Sequence, residues 1–250
     1  MKKTIAAVIS ISVLAISAGT AQSAIKKGPY LTNLSPYSVT VNWESDTATK
    51  GIVKYGTNVV FLDKQVDESA SATNHHVTIS GLDPSTFYYY KVISGSDEAG
   101  GSSSYFTTSI LSCQPFRFAV YGDTRGATQW DDPFTQHAKI IKMIDEKIGP
   151  DFIIGTGDYV YVGGDNTQWQ YWFDTTKNYL NHNVLFPAIG NHDTNGGQAN
   201  WNRFWLLPQG PDTANNTYYA FTYGNTRFVM FDDYKDTSPG SAQYKWIESE

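Results

Sequence analysis

Three apolar runs each end in a glycine followed by a small residue with a side-chain oxygen: Gly122-Asp123, Gly157-Asp158 and Gly190-Asn191. They are spaced 35 and 33 residues apart, about the length of one strand–crossover–strand unit. In a parallel sheet successive strands finish on one edge, where ligands bind. Asp123, Asp158 and Asn191 are therefore expected to meet at one rim. Two carboxylates and an amide oxygen brought together call for a cation between them. Hard oxygen donors suit Mg, Mn or Fe, with imidazoles added for Fe or Zn. One Gly-Asp after a strand is usually only a turn. Gly190-Asn191-His192-Asp193 is more specific, because no turn demands three chemically active residues in that order.

The elements that would position these residues are legible nearby. Phe116 to Tyr121, Asp151 to Ile154 and Val184 to Ile189 read as buried strands. Ala138 to Ile148 has helical spacing, with Ile140, Ile141, Ile144 and Ile148 on one stripe, and Gly149-Pro150 ends it. Strand–helix–strand order implies right-handed crossovers and parallel pairing. Thr217 to Tyr223, Gly224-Asn225 and Arg227 to Asp232 read as a hairpin, and a helix starts at Ala242. Trp169, Tyr171, Trp172 and Phe173 are expected to pack a crossover helix rather than to wall a substrate. Trp201, Phe204 and Trp205 would form one buried helical face.

The preceding segment is different. Val39, Val41 and Trp43 alternate with polar residues as in a half-buried strand. Ile52 to Tyr55 and Val77 to Ile79 read as further strands. Gly100 to Ser104 reads as a turn or hairpin tip before a last strand. Leu82-Asp83-Pro84 leading into Phe87 to Val92 resembles the entry to strand F of a fibronectin type III domain, with Tyr88 as the tyrosine-corner residue. His75 and His76, adjacent on a strand, would face opposite ways and sit at the surface. His137 is expected to face solvent, and His182 to be a loop residue within swing of the rim.

Composition bounds the alternatives. The chain has 250 residues, 40% hydrophobic and 17% charged, with net charge -6. That is enough apolar content for a real core and too acidic a balance for a general nucleic-acid binder. Lys2 and Lys3, the apolar run Ile5 to Ile16 and small residues near Ala24 read as a secretory leader over 1–24. The run is short for a membrane span, so the protein is expected to be secreted or periplasmic, with no stable span once the leader is removed. The one cysteine, Cys113, precludes an internal disulfide and is expected to be buried. The sequence leaves the oligomeric state open.

Asp123, Gly157-Asp158-Tyr159-Val160-Tyr161 and Gly190-Asn191-His192-Asp193 resemble the first three blocks of the calcineurin-like metallophosphoesterases. More narrowly they resemble the purple acid phosphatases, whose N-terminal domain the segment from Gly28-Pro29-Tyr30-Leu31 also resembles. The resemblance implies a fibronectin III-like all-β sandwich at 25–110, followed by an α/β metallophosphoesterase sandwich at 114–250, incomplete at its C-terminal end. It implies two metal ions, Fe with Zn, Mn or a second Fe. Asp158 would bridge them, Asp123 and Tyr161 would hold the first, and Asn191 the second and the substrate. His192 would contact the phosphoryl group and help protonate the leaving oxygen, with Asp193 orienting it. A metal-bound hydroxide would attack the phosphorus of a phosphate monoester.

Two departures accompany the resemblance. The family pattern Asp-x-His, or Asp-x-Gly, is Asp123-Thr124-Arg125 here. A guanidinium is no metal ligand, but Arg125 could fork onto a substrate phosphate or satisfy a carboxylate or loop carbonyls. The family also places histidines in later blocks, whereas none follows His192 here. The four donors named cannot fill two ions of about six positions each. The chain is therefore expected to be part of a longer enzyme, to bind metal weakly and to have little or no activity. The rival functions are a nucleotidase or phosphodiesterase of the same superfamily, and a non-catalytic exported binding protein.

Overall fold

The computed structural model describes residues 23–126, 134–208, 210–211 and 217–250. The leader expected at 1–24 lies outside them except for its last two residues. The N-terminal half is a sandwich of two antiparallel sheets. One has strand order β1–β2–β5 (Ile25–Thr32, Ser38–Thr49, Ala72–Ser80). The other is β4–β3–β6–β7 (Lys64–Asp67, Gly51–Gly56, Phe87–Ser94, Asp97–Thr107). Val39, Val41, Trp43, Val53, Ile79, Tyr88, Tyr90, Val92 and Phe106 fill the space between them. Tyr88 is the corner residue: its hydroxyl accepts from the Asp83 backbone N–H at 3.1 Å. The expected hairpin tip at Gly100 is instead inside β7, whose register shifts where it pairs with Tyr89 and Tyr90. Gly100 and Gly101 have positive φ there, and the turn itself lies at Gly95.

β2 is not half-buried. Thr40 and Asn42, on the side away from the sandwich core, are fully buried, because that face docks on the second half of the chain. Asn42 pairs with His76 Nδ1 at 2.7 Å, and His76 Nε2 lies 3.0 Å from the Arg203 carbonyl. The Tyr30 hydroxyl donates to the Phe204 carbonyl at 2.5 Å, and Thr32 donates to the Leu206 carbonyl. His75 and His76 do face opposite ways, but neither is at the surface. His75 is stacked on Trp43, with Nδ1 2.7 Å from Glu68 and Nε2 2.9 Å from Ser45. His182 is tied to the same seam rather than the rim: Nε2 is 2.7 Å from Asp145 and its ring stacks on Tyr105. Cys113 is exposed, not buried; it lies in the linker between the halves, where Asn225 donates to its sulfur.

In the second half β8 (Phe118–Tyr121), β9 (Phe152–Gly155) and β10 (Leu185–Pro187) form a parallel sheet of order β10–β9–β8. Helix α1 (Phe134–Met143) runs from β8 to β9, and α2 (Asn166–Thr176) from β9 to β10. The isoleucine stripe holds only for Ile141 and Ile144; Ile140 and Ile148 are exposed. The helix closes in a π-helical turn, Ile144–Ile148, whose extra residue per turn takes Ile148 out of line with Ile141. His137 is buried among Tyr121 and Trp172 rather than solvated. Trp169, Trp172 and Phe173 of α2 pack against Phe204 of α4 (Ala199–Phe204) and against Trp205, whose ring also meets Trp201 of α4. Tyr171 of that run is exposed. The hairpin is present as β11 (Tyr219–Tyr223) and β12 (Thr226–Met230), as is the final helix α5 (Ala242–Ser249); α3 is the short turn Asn191–Thr194. Among the described residues no helix is long and apolar enough to cross a membrane.

Candidate active site

Because β8, β9 and β10 run parallel, the loops after them leave the same edge. The three loops are bonded to one another directly. The Asp123 N–H donates to the Gly157 carbonyl at 3.0 Å, and the His192 N–H donates to Asp158 Oδ1 at 3.1 Å. Asp123 and Asp158 both adopt left-handed backbone, φ 50° and 56°. That conformation costs a non-glycine residue on the order of 1–3 kcal/mol and clusters at functional sites. Gly157 and Gly190 let the loops touch: a Cβ on Gly157 would lie 2.7 Å from the Gly190 nitrogen.

Asp193 locks this arrangement from beneath. It is fully buried. Its Oδ2 accepts the N–H groups of Asp158 and Gly190, and its Oδ1 that of Tyr159, all at 2.9 Å. Burial pushes its carboxyl up to about 7, against the pull of the backbone donors. Asp193 therefore does not orient His192, as the resemblance implied. The Tyr161 carbonyl does, 2.7 Å from His192 Nδ1. A carbonyl only accepts, so Nδ1 carries the proton in this contact and Nε2 is left without that partner. The Tyr161 ring lies against His192, with centroids 4.7 Å apart. Trp172 supports the rim from α2, donating to Thr124 Oγ1, which donates to the Tyr159 carbonyl.

Arg125 sits where a cation was expected. Its Nε donates to Asp158 Oδ2 at 2.8 Å, and Nη2 lies 3.9 Å from Asp123 Oδ1. Its Nη1 donates to the Gly126 carbonyl and its backbone N–H to the Asp158 carbonyl. Of the roles the sequence left open, the guanidinium fills the intramolecular one. Tyr234 was missed. Its hydroxyl donates to Asn191 Oδ1 at 3.0 Å, from a loop that Gln243 of α5 pins through both the N–H and the carbonyl of Asp232. Only the meeting of hairpin and helix brings it there, and no local pattern announces it.

The model of the family described as calcineurin-like phosphoesterase matches residues 116–249, and that of the purple acid phosphatase N-terminal domain matches residues 29–109. The chain belongs to the calcineurin-like phosphoesterases. This phosphoesterase chain is 24% identical over 243 residues to probable purple acid phosphatase 20 of Arabidopsis thaliana, covering 88% of itself and 53% of that relative. It is 27% identical over 208 residues to purple acid phosphatase 15 of the same plant, covering 70% and 38%. It thus spans about half the length, or less, of these relatives. The structure of a yellow lupin purple acid phosphatase shares its fold, with a TM-score of 0.69 at 17% identity over 89% of this chain and 48% of that one. The structure of PhoD matches with a TM-score of 0.62, also at 17% identity, over 82% and 51%.

Purple acid phosphatases work with two metal ions, and the residues described here do not by themselves fit such a pair. Both oxygens of Asp158 and the amide oxygen of Asn191 already accept protein donors. Among the described residues no group of three or more His, Cys, Asp or Glu side chains could hold a metal.

Proposed function

We propose that this chain carries the first part of the active site of an exported phosphoesterase that acts on phosphate monoesters. The observation supporting the reading is the convergence of three strand-end loops, with Asp123 and Asp158 in strained backbone beside Asn191 and His192. In this reading Asp123, Asp158, Tyr161 and Asn191 are ligands toward an iron-containing ion pair, completed by donors other than these four. Asn191 and His192 face the phosphoryl group, and His192 Nε2 gives a proton to the leaving oxygen. The donors named do not assemble the hydroxide-bearing centre of the family, so the chain alone is expected to hydrolyse esters poorly. A second reading, an exported binding protein without catalysis, draws on the Arg125–Asp158 contact.

Turnover of p-nitrophenyl phosphate with added Fe, Zn or Mn tests both readings. The expected result is slow, metal-dependent turnover that Asp158→Asn abolishes. Turnover no greater than that of the Asp158→Asn variant would favour the binding protein. Turnover near the roughly 10 s⁻¹ common among enzymes would contradict an incomplete donor set.

A further inference from the structure

The first loop puts a guanidinium against Asp158, a carboxylate that the proposed function reads as a metal ligand. Three independent contacts hold it there. Nε bonds Asp158 Oδ2 at 2.8 Å. The Arg125 backbone N–H bonds the Asp158 carbonyl at 3.2 Å, which anchors the residue itself to the second loop. Its guanidinium carbon lies 5.8 Å from the centre of the Tyr161 ring. The partner carboxylate has little water to turn to, since the Asp158 side chain is 12% exposed. A dication entering next to Asp158 would have to displace a hydrogen-bonded, permanently charged group and would meet its repulsion at contact distance.

We propose that Arg125 is a tethered counter-cation that holds the Asp123–Asp158 pair in its folded arrangement without metal and competes with metal for Asp158. The inference rests on the reading of Asp123 and Asp158 as ligands. Arginine thereby performs two tasks at once. It neutralises the carboxylates while the loops assemble, and it sets a threshold that an incoming ion must exceed. For an ion to be held by Asp158, the Arg125 guanidinium would have to leave Asp158 Oδ2.

Calorimetric titration of Mn²⁺ into the wild-type chain, Arg125→Gln and Arg125→Gln/Asp158→Asn tests this, with thermal melts to establish folding. The expected result is that Arg125→Gln melts lower than wild type without metal. It binds Mn²⁺ at least about tenfold more tightly, and Mn²⁺ restores its melting temperature. The double variant loses that gain. Equal or weaker binding by Arg125→Gln than by wild type, with binding lost in the double variant, would overturn the competition and leave the ligand reading standing. Binding in none of the three, or a gain that survives Asp158→Asn, would overturn both. Should Arg125→Gln fail to fold, Arg125→Lys replaces it. Lysine keeps the charge but loses the fork, so a smaller gain of the same sign is expected, and no gain would overturn the proposal.

Discussion

Asp193→Ala is expected to leave the α/β half unfolded or barely folded. The substitution strands three buried backbone N–H groups, those of Asp158, Tyr159 and Gly190. Each unsatisfied buried donor costs about 1–3 kcal/mol, so the loss is about 3–9 kcal/mol against a typical total of about 5–15 kcal/mol. Asp193→Asn keeps the shape but offers only one accepting oxygen, and its loss is expected to be smaller. The same residue makes stability depend on pH. Burial raises its folded-state value to about 7, above the unfolded value, so the folded chain holds a proton through that window and the unfolded chain does not. Stability from this group is therefore full below about pH 4, falls as pH rises from there to about 7, by on the order of 4 kcal/mol in all, and is level above that.

His137 works in the opposite direction. Burial lowers it to about 4, so its unfolded form takes up a proton first as pH falls below about 6.5, and stability drops toward pH 4 by about 3 kcal/mol. Between about pH 4 and 6.5 the two slopes oppose each other. Urea midpoints across pH 4.5–8 are expected to be nearly level for wild type up to pH 6.5, to dip slightly to about pH 7 and then to stay level. In His137→Phe they should fall to about pH 7 and then level off; in Asp193→Asn they should rise to pH 6.5 and then level off. Parallel profiles in all three proteins would contradict the assignment.

Gly190→Ala is expected to cost more than about 3 kcal/mol and to disable the site even where the chain still folds. A Cβ at this position would overlap both the carboxylate and the backbone nitrogen of Asp158. Overpacking typically costs about 1–3 kcal/mol where side chains can yield. Here a backbone atom blocks the way, and the only relief separates the loops after β9 and β10. The His192 N–H would then leave Asp158, and the Asp193 clamp would open with it. Urea unfolding measures the stability, and Mn²⁺ titration of whatever folds measures the site. A loss below about 1 kcal/mol with unchanged titration would show that the two loops are not in contact.

The rim was readable because it follows from local rules. An apolar run, a glycine and an oxygen-bearing residue, repeated at crossover spacing, determine strand ends, and parallel pairing does the rest. Tyr88, the β11–β12 hairpin and α5 were readable for the same reason. The errors share a different cause, namely contacts that no neighbouring residue announces. His75 and His76 look like surface residues until the sandwich core closes on one and Arg203 caps the other. His137 looks solvated until Trp172 covers it. Asp193 next to His192 suggests a partner for the imidazole, yet the chain turns through α3 and sends that carboxylate under the loops. Arg125 left two roles open in the sequence, and only the folded chain shows its guanidinium on Asp158.

The account depends most on that contact. A double-mutant cycle with Arg125→Gln, Asp158→Asn and the pair, read by urea unfolding at neutral pH without metal, tests it most directly. Residues in contact within one charged network couple by about 0.5–3 kcal/mol, and this half-buried pair is expected in the upper half of that range. Additive effects, with a coupling below about 0.5 kcal/mol, would mean that the guanidinium does not rest on Asp158 and that the rim is not closed as described.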